Sequence, residues 1–255
     1  MRKPDILCAW GLNVGVAFAL LSRLPLPRLP DVAFARQADA VWAFPLVGLV
    51  VGGIAGLAGI TGLAIGLPAP VAAGLVLVMQ VVLTGAMHED GLADTTDGLW
   101  GGWTRERRLE IMKDSAIGSY GVLALILTVG LRWTALTALL PLGAGPVIAA
   151  AVLARSFLPL LMHGLPHVRE SGLSHKVGRP PRGPVAVAVA LGFLAGWIAV
   201  GPAIVGGWLC AATLVLALAL LARARIGGQT GDILGAAEQL AEIAVLLALL
   251  AIAAP

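Results

Sequence analysis

Stretches of about 20 apolar residues recur along the whole chain and constrain its fold more than any other feature. A helix needs about 20 such residues to cross a bilayer. None of the stretches alternates in polarity as the strands of a transmembrane barrel do. A mean hydropathy of +0.94 with 12% charged residues excludes an ordinary soluble domain. We predict an all-α, polytopic helical integral membrane protein, a single membrane-embedded domain over 1–255 with about seven transmembrane helices, near 41–66, 69–87, 120–141, 145–162, 184–200, 203–221 and 233–254.

The basic residues predict the topology of these helices. Of the 17 Lys and Arg residues, all but Arg132 and Arg155 lie at the N-terminal tip or in the connections 22–40, 88–119, 163–183 and 222–232. Basic loops stay on the cytoplasmic side. We therefore expect a multi-pass protein of the bacterial inner membrane whose functional loops all face the cytoplasm. The basic residues follow this topology, so no nucleic-acid partner is expected.

The N-terminal apolar run, Ile6–Leu21, follows Arg2 and Lys3 as in a signal peptide, but no cleavage site follows it. If it crossed the membrane, it would place those two basic residues outside. We predict a retained segment that lies in the interface or re-enters it.

Small residues recur in the first long helix at Gly48, Gly52 and Gly56. A repeat of four places glycines on one helix face and lets a neighbouring backbone approach closely. A dinucleotide fingerprint would need a strand, turn and helix instead. We therefore predict helix packing here.

The segment 88–120 holds half of the 14 acidic residues. If the helix of span 69–87 continues through Asp97, then Asp90, Asp94 and Asp97 lie within about 60° of one another on its surface. Like charges this close favour a bound cation. Carboxylate oxygens suit Mg²⁺, which also takes substrate phosphates. The alternative is a solvated acidic helix end.

Thr104 is a predicted N-cap for an amphipathic helix over 105–116. The basic residues of this helix are either anchors at the membrane border or phosphate ligands. They are Arg105, Arg107, Arg108 and Lys113.

A second polar segment, Gly227–Asp232, leads into the last apolar helix. Its glycines and the helix N-terminus could bind an anion, or Asp232 could simply be the N-cap. Within the helix, Glu238 and Glu242 are one turn apart. Carboxylates within a membrane face a partner or a cavity, and an ion pair with Arg155 is the structural alternative. The loop 163–183 could cover a substrate and carry Arg169 and Lys176 to it.

Six segments along the chain can be compared with known families. They are HEDGLADTTDGL (88–99), RRLEIMKDS (107–115), GSYG (118–121), SRLPLP (22–27), FPLVG (44–48) and GGQTGDILGA (227–236). Together these segments resemble the cobalamin synthase family, adenosylcobinamide-GDP ribazoletransferases, over nearly the whole chain. Two positions differ from the family pattern: Glu89 replaces an apolar residue and Ala116 an arginine.

The resemblance implies the last assembly step of the cobalamin nucleotide loop. In that reaction a hydroxyl of α-ribazole, or of α-ribazole 5′-phosphate, attacks the cobinamide-side phosphorus of adenosylcobinamide-GDP. GMP leaves, and Mg²⁺ is the expected cofactor. We expect the protein to be surrounded by membrane lipid. A homo-oligomer and a complex with other cobalamin-assembly enzymes are both open alternatives.

The resemblance also assigns roles to the residues singled out above. Asp90, Asp94 and Asp97 would hold Mg²⁺ against the diphosphate, and Asp97 or Glu89 would be the base. A second metal site would combine Asp114 with Asp232 or Glu238. The predicted phosphate-binding residues are Arg107, Arg108, Lys113, Gly227, Gly228, Thr230 and Gly231.

Two other functions could also use acidic and basic residues on membrane helices. CDP-alcohol phosphotransferases also carry aspartates on membrane helices, but the spacing after Asp90-Gly91 differs from theirs and their second glycine–aspartate half is missing. A transporter would line a pathway with Arg155, Glu238 and Glu242, and should show inverted repeats; we find no such repeat.

Overall fold

The computed structural model describes residues 6–253, which form a bundle of helices with no strand among them. Three 3-10 turns, at Gln37–Ala43, Leu140–Leu142 and Gly201–Ala203, interrupt or precede the helices. The helices are α1 (Ile6–Leu21), α2 (Asp31–Phe34), α3 (Phe44–Ala64), α4 (Ala69–Thr84), α5 (Met87–Gly101), α6 (Arg105–Ile111), α7 (Ser119–Leu139), α8 (Gly145–Gly164), α9 (Leu173–Val177), α10 (Arg182–Val200), α11 (Ile204–Ile226) and α12 (Gly231–Ala253).

Five helical stretches of the described chain are long and apolar enough to cross a membrane, and this confirms a polytopic helical membrane protein. A sixth candidate is the pair α4 and α5, which is bent by 88°. The stretch of 45 residues that contains α10 and α11 is broken by the turn at Gly201. The five stretches are Gln37–Ala64, Ser119–Leu142, Gly145–Gly164, Arg182–Ile226 and Gly231–Ala253.

The bend between α4 and α5 contradicts the prediction that one helix continues through Asp97. Gly85 ends α4 with φ 67°, and Ala86 follows with φ 57°. Two successive left-handed residues cannot continue a right-handed helix. The backbone N–H of Arg23 donates to the carbonyl of Leu83 at 2.7 Å, and thereby satisfies one of the groups left open where α4 ends.

Helix α8 is the centre of the bundle and contacts α3, α10 and α12. The predicted glycine stripe of α3 packs against it. A Cβ atom at Gly52 would lie 2.9 Å from the Ala151 side chain, and one at Gly56 would lie 2.9 Å from that of Ala144. The prediction of close helix packing is therefore confirmed.

The end of the bundle that carries α6, α9 and the segments 165–178 and 227–231 is called the loop side here. Residues 166–168 and 229 meet on it, because the N–H of Gln229 donates to the carbonyl of Pro166 at 2.9 Å and that of Val168 donates to the carbonyl of Gln229 at 3.2 Å. This exchange holds the segment 165–178 against the start of α12.

Helix α1 has 16 residues, fewer than a spanning helix needs. Its position relative to lipid stays a prediction, and Arg2 and Lys3 lie outside the described residues. Thr104 caps α6 as predicted and accepts from the N–H of Arg107 at 3.2 Å, but α6 ends at Ile111, short of the predicted 116.

Candidate active site

A cavity of about 260 Å³ opens on the loop side of the bundle. It lies between α1, α3, α5, α8, α12 and the segment 165–178. Its polar wall is formed by His88, Asp90, His167, Arg169, Ser171, Ser174, His175, Gln229, Thr230 and Asp232. This wall joins two of the predicted polar segments, which are more than 100 residues apart in the chain.

Thr230 and Asp232 are fixed by the start of α12. The Thr230 hydroxyl accepts from the N–H of Ile233 at 3.3 Å, so Thr230 is the N-cap. The interpretation of Asp232 as the cap was wrong. Its Oδ2 instead lies 2.9 Å from Nη1 of Arg169 and 3.1 Å from the Thr230 hydroxyl, which donates to it. The ion pair brings the segment 165–178 to the cavity, as predicted for Arg169, whereas Lys176 does not line it.

The three aspartates of α5 do not share one environment. Asp90 is exposed and lines the cavity. Asp94 is half-buried, close enough to Asp232 and Asp90 to be repelled by both and to Arg169 to be attracted by it. Asp97 is 7% exposed and accepts from the N–H groups of Gly118 at 2.7 Å and Gly121 at 2.9 Å.

Asp97 is therefore the cap of α7, and the expectation that all three carboxylates gather at one site is corrected. In residues 6–253, no three His, Cys, Asp or Glu side chains are arranged to hold a metal ion. The physical reason is that both oxygens of Asp97 turn toward the unpaired backbone donors at the start of α7. Asp90 and Asp94 instead share their surroundings with Asp232.

Glu89 and Glu238, predicted as base and metal ligand, belong to a buried polar network. Glu238 is ion-paired with Nη1 of Arg155 and lies 3.4 Å from Nδ1 of His88. Glu89 Oε1 lies 3.3 Å from Nη1 of Arg132. Arginine neutralises both carboxylates, so neither is positioned as a metal ligand or a free base.

The network extends across α4, α5, α7, α8 and α12. Arg132 donates to Gln239 Oε1 at 2.7 Å and to Gln80 Oε1 at 2.9 Å, and its Nη2 lies 3.3 Å from Glu242 Oε2. Glu242 also accepts from Gln80 and lies 3.6 Å from Arg155. The predicted ion pair between Arg155 and the glutamates is confirmed. All these side chains are buried, and none of them lines the cavity.

The predicted phosphate-binding residues divide between the cavity and the surface. Thr230 and Gly231 line the cavity, whereas Gly227 and Gly228 do not. A side chain at Gly228 would collide with the backbone of Pro166, so this glycine serves the close approach of two loops.

The predicted residues of α6 and the turn after it lie outside the cavity lining. Arg107 is paired with Glu110 at 2.7 Å, and Arg108 donates to the carbonyl of Arg225 at 3.2 Å. Lys113 is exposed. Asp114 accepts from the N–H of Ala116 at 3.1 Å, which closes its own turn, and it does not meet Asp232.

Sequence reasoning missed His88, His167 and His175 as cavity residues. The two loop histidines contact each other, with ring centroids 5.6 Å apart. Burial, and to a lesser extent the neighbouring charge of His175, lower the pKa of His167. Their spacing matched no metal motif, and only the fold of 165–178 over α12 brings them to the site.

Comparison with known proteins assigns the family. The model of the family described as cobalamin-5-phosphate synthase matches residues 13–250. The chain belongs to this family. The earlier resemblance is thereby confirmed, and the match covers the cavity and the whole buried network.

Three relatives named adenosylcobinamide-GDP ribazoletransferase align with nearly the full chain. The protein of Bradyrhizobium diazoefficiens is 47% identical over 92% of each chain. That of Azorhizobium caulinodans is 44% identical over 100% of each, and that of Mesorhizobium japonicum is 42% identical over 92% of this chain and 91% of its own. No solved structure matches the chain.

Proposed function

We propose that the chain transfers the adenosylcobinamide phosphate group from adenosylcobinamide-GDP to α-ribazole or its 5′-phosphate. The product is adenosylcobalamin or its 5′-phosphate, and GMP is released. The observation that supports this most directly is the family match over residues 13–250, together with relatives that carry this enzyme name over nearly their full length. A CDP-alcohol phosphotransferase is the alternative that the test below must separate.

The reaction exchanges one bond to phosphorus for another. The ribazole hydroxyl oxygen forms a bond to the cobinamide-side phosphorus, and the bond from that phosphorus to the bridging oxygen breaks, so that GMP leaves. The hydroxyl proton passes to a carboxylate of the cavity wall, for which Asp90 is the candidate, because Asp232 is already paired with Arg169. Arg169, on the same wall, is suited to bind the phosphoryl oxygens.

The residues present fit Mg²⁺ as the cofactor. Asp90, Asp94 and Asp232 repel one another, and among the described residues Arg169 is the cation that acts on both Asp94 and Asp232. Mg²⁺ commonly uses only one or two carboxylates and completes its shell with water and substrate phosphates. One or two of these aspartates would hold it, and when bound it would neutralise charge on the diphosphate.

The topology is part of the proposal. All the basic connections lie on the loop side, where the cavity opens. Under the positive-inside rule this side faces the cytoplasm of the inner membrane. Cytoplasmic nucleotides would then reach the cavity without crossing the bilayer.

The experiment uses the full chain, purified in detergent with Mg²⁺. One reaction contains adenosylcobinamide-GDP and α-ribazole, and the other contains CDP-diacylglycerol and an alcohol. We expect GMP and a cobalamin product from the first reaction only, and loss of the product when EDTA removes the divalent ion. Turnover of the second pair alone would overturn the proposal.

A further inference from the structure

The cavity has an apolar wall as well as the polar one. Five of its apolar residues come from the membrane helices α1, α3 and α8. The elements that carry its charged residues, α5, α12 and the segment 165–178, add four more, which are Met87, Leu173, Val177 and Leu234. The apolar residues contributed by α1, α3 and α8 are Leu20, Leu21, Phe44, Leu158 and Met162. A ligand that matches both walls has one apolar, flat part and one part with hydroxyl or phosphate groups.

Two ring nitrogens on this cavity have no partner among the described residues. His88 is 2% exposed, and its Nδ1 faces Glu238 while its Nε2 is buried and unpaired. His167 Nε2 is also buried and unpaired. A buried polar atom normally has a hydrogen-bond partner. A ligand in the cavity would supply one for each ring.

The size of the cavity limits which ligand can enter. Its 260 Å³ lies just below the range of about 300–1,000 Å³ that holds drug-sized molecules. A two-ring base fits such a space, whereas a corrin, with four linked five-membered rings and their side chains, does not.

The apolar wall also discriminates between the two bases of the proposed substrates, guanine and benzimidazole. Guanine carries donors and acceptors around its edge, and the apolar wall would leave them unpaired. The benzimidazole of ribazole has an almost wholly apolar outline. One of its nitrogens is bonded to the ribose, so only one free ring nitrogen remains to be satisfied.

We propose that this cavity is the binding site of the acceptor, with the benzimidazole against the α1, α3 and α8 wall and the ribose toward Asp90 and Asp232. His88 and His167 then serve as hydrogen-bond partners of the nucleoside. The corrinoid donor binds outside, at the mouth of the cavity, and only its diphosphate reaches the aspartates. This assignment rests on the proposed function.

The test measures binding of α-ribazole alone to the purified full chain, by titration calorimetry without donor. Leu173 lines the cavity but is 47% exposed, so Leu173→Trp narrows the space without burying a large side chain in the bundle. Leu160→Trp is the matched control, because Leu160 is exposed on α8 and does not line this cavity. His167→Phe keeps an aromatic ring and removes both ring nitrogens.

We expect Leu173→Trp to raise the Kd of α-ribazole about tenfold or more, and His167→Phe to raise it severalfold, while Leu160→Trp leaves it unchanged. Benzimidazole should compete with α-ribazole, and guanosine should not. In turnover, the KM for α-ribazole should rise and the KM for adenosylcobinamide-GDP should stay constant.

Equal competition by guanosine, or an unchanged Kd in Leu173→Trp, would overturn the assignment. A rise confined to the KM of the donor would overturn it as well. If α-ribazole binds as described and the substrate pair gives no product, the proposed reaction fails and the binding site stands.

Discussion

A carboxylate at this site can either cap a helix or take part in the reaction. Substitution of Asp97 distinguishes the two roles, because the side chain can be removed without changing the cavity. Asp97 is 7% exposed and accepts from the N–H groups of Gly118 and Gly121 at the start of α7. Its side chain is absent from the cavity lining. If capping is its main role, Asp97→Ala lowers stability and leaves the activity of the folded protein largely intact.

The expected loss of stability follows from these two bonds. A hydrogen bond to a charged group contributes about 1.5–3 kcal/mol, and an unpaired buried N–H adds its own cost of desolvation. The pair therefore stabilises the fold by about 3–6 kcal/mol in total, and Asp97→Ala should lower the unfolding temperature by on the order of 10 °C. Asp97→Asn keeps one carbonyl acceptor, so it should lose about half as much.

The assay compares thermal unfolding in detergent with turnover per folded molecule. Asp94→Asn is the matched variant on the same helix, since Asp94 faces Asp90 and Asp232 and caps nothing among the described residues. We expect it to keep the unfolding temperature of the native chain and to lose turnover. An Asp97→Asn variant that unfolds like the native chain yet is inactive would refute the capping role, because Asp97 would then act in the reaction.

Three further variants test the packing, the network and the loop. Gly91→Ala should abolish most turnover, because the added Cβ would lie 2.9–3.2 Å from backbone atoms of α12 and push α5 away. Gly74→Ala is the control, since the space around Gly74 is open. Equal activity of the two variants would contradict a role of Gly91 in this packing. Arg155→Met should lower the free energy of unfolding by about 3–5 kcal/mol, since it leaves a buried glutamate unpaired. An unchanged unfolding midpoint would exclude a stabilising role for this ion pair. Burial, and then His175, lower the pKa of His167, so the folded loop is fully stable above the unfolded value of about 6.5 and loses stability as the pH falls below it. In the folded protein His167 gains a proton only at a pH below 6.5, because its pKa is lowered. The affinity for α-ribazole should weaken there, more in the native chain than in His167→Gln, and an identical pH profile in both would argue against the loop histidine.

The apolar windows predicted most of the helices, because length and hydropathy alone decide whether a segment can cross a bilayer. The predicted spans 184–200 and 203–221 correspond to α10 and α11. The bend after α4 could not be predicted in this way. Gly85 is a weak local signal, and the adjacent Ala86 adopts a left-handed conformation that no alanine favours by itself.

The sequence predicted which residue types form the site better than it predicted which groups those residues contact. The spacing of Asp90, Asp94 and Asp97 gave their helix face correctly, but spacing does not say which backbone donors lie opposite each carboxylate. Only the contact of α5 with α7 reveals that Asp97 is a cap. Arg169 and His167 reach the cavity because their loop pairs with Gln229, and this contact has no signature in the local sequence.

The buried network and the cavity share helix α5, so they are not independent features. Glu89 is held inward by Arg132 and Gln239, which fixes the rotation of α5 about its axis. The next residue, Asp90, is turned by about 100° and therefore emerges at the cavity. Gly91 then lets the backbone of α12 approach, which sets the separation of Asp90 from Asp232. Burying charged side chains within a membrane costs free energy. In this chain the buried charges fix the rotation of α5, the helix that carries carboxylates of the site.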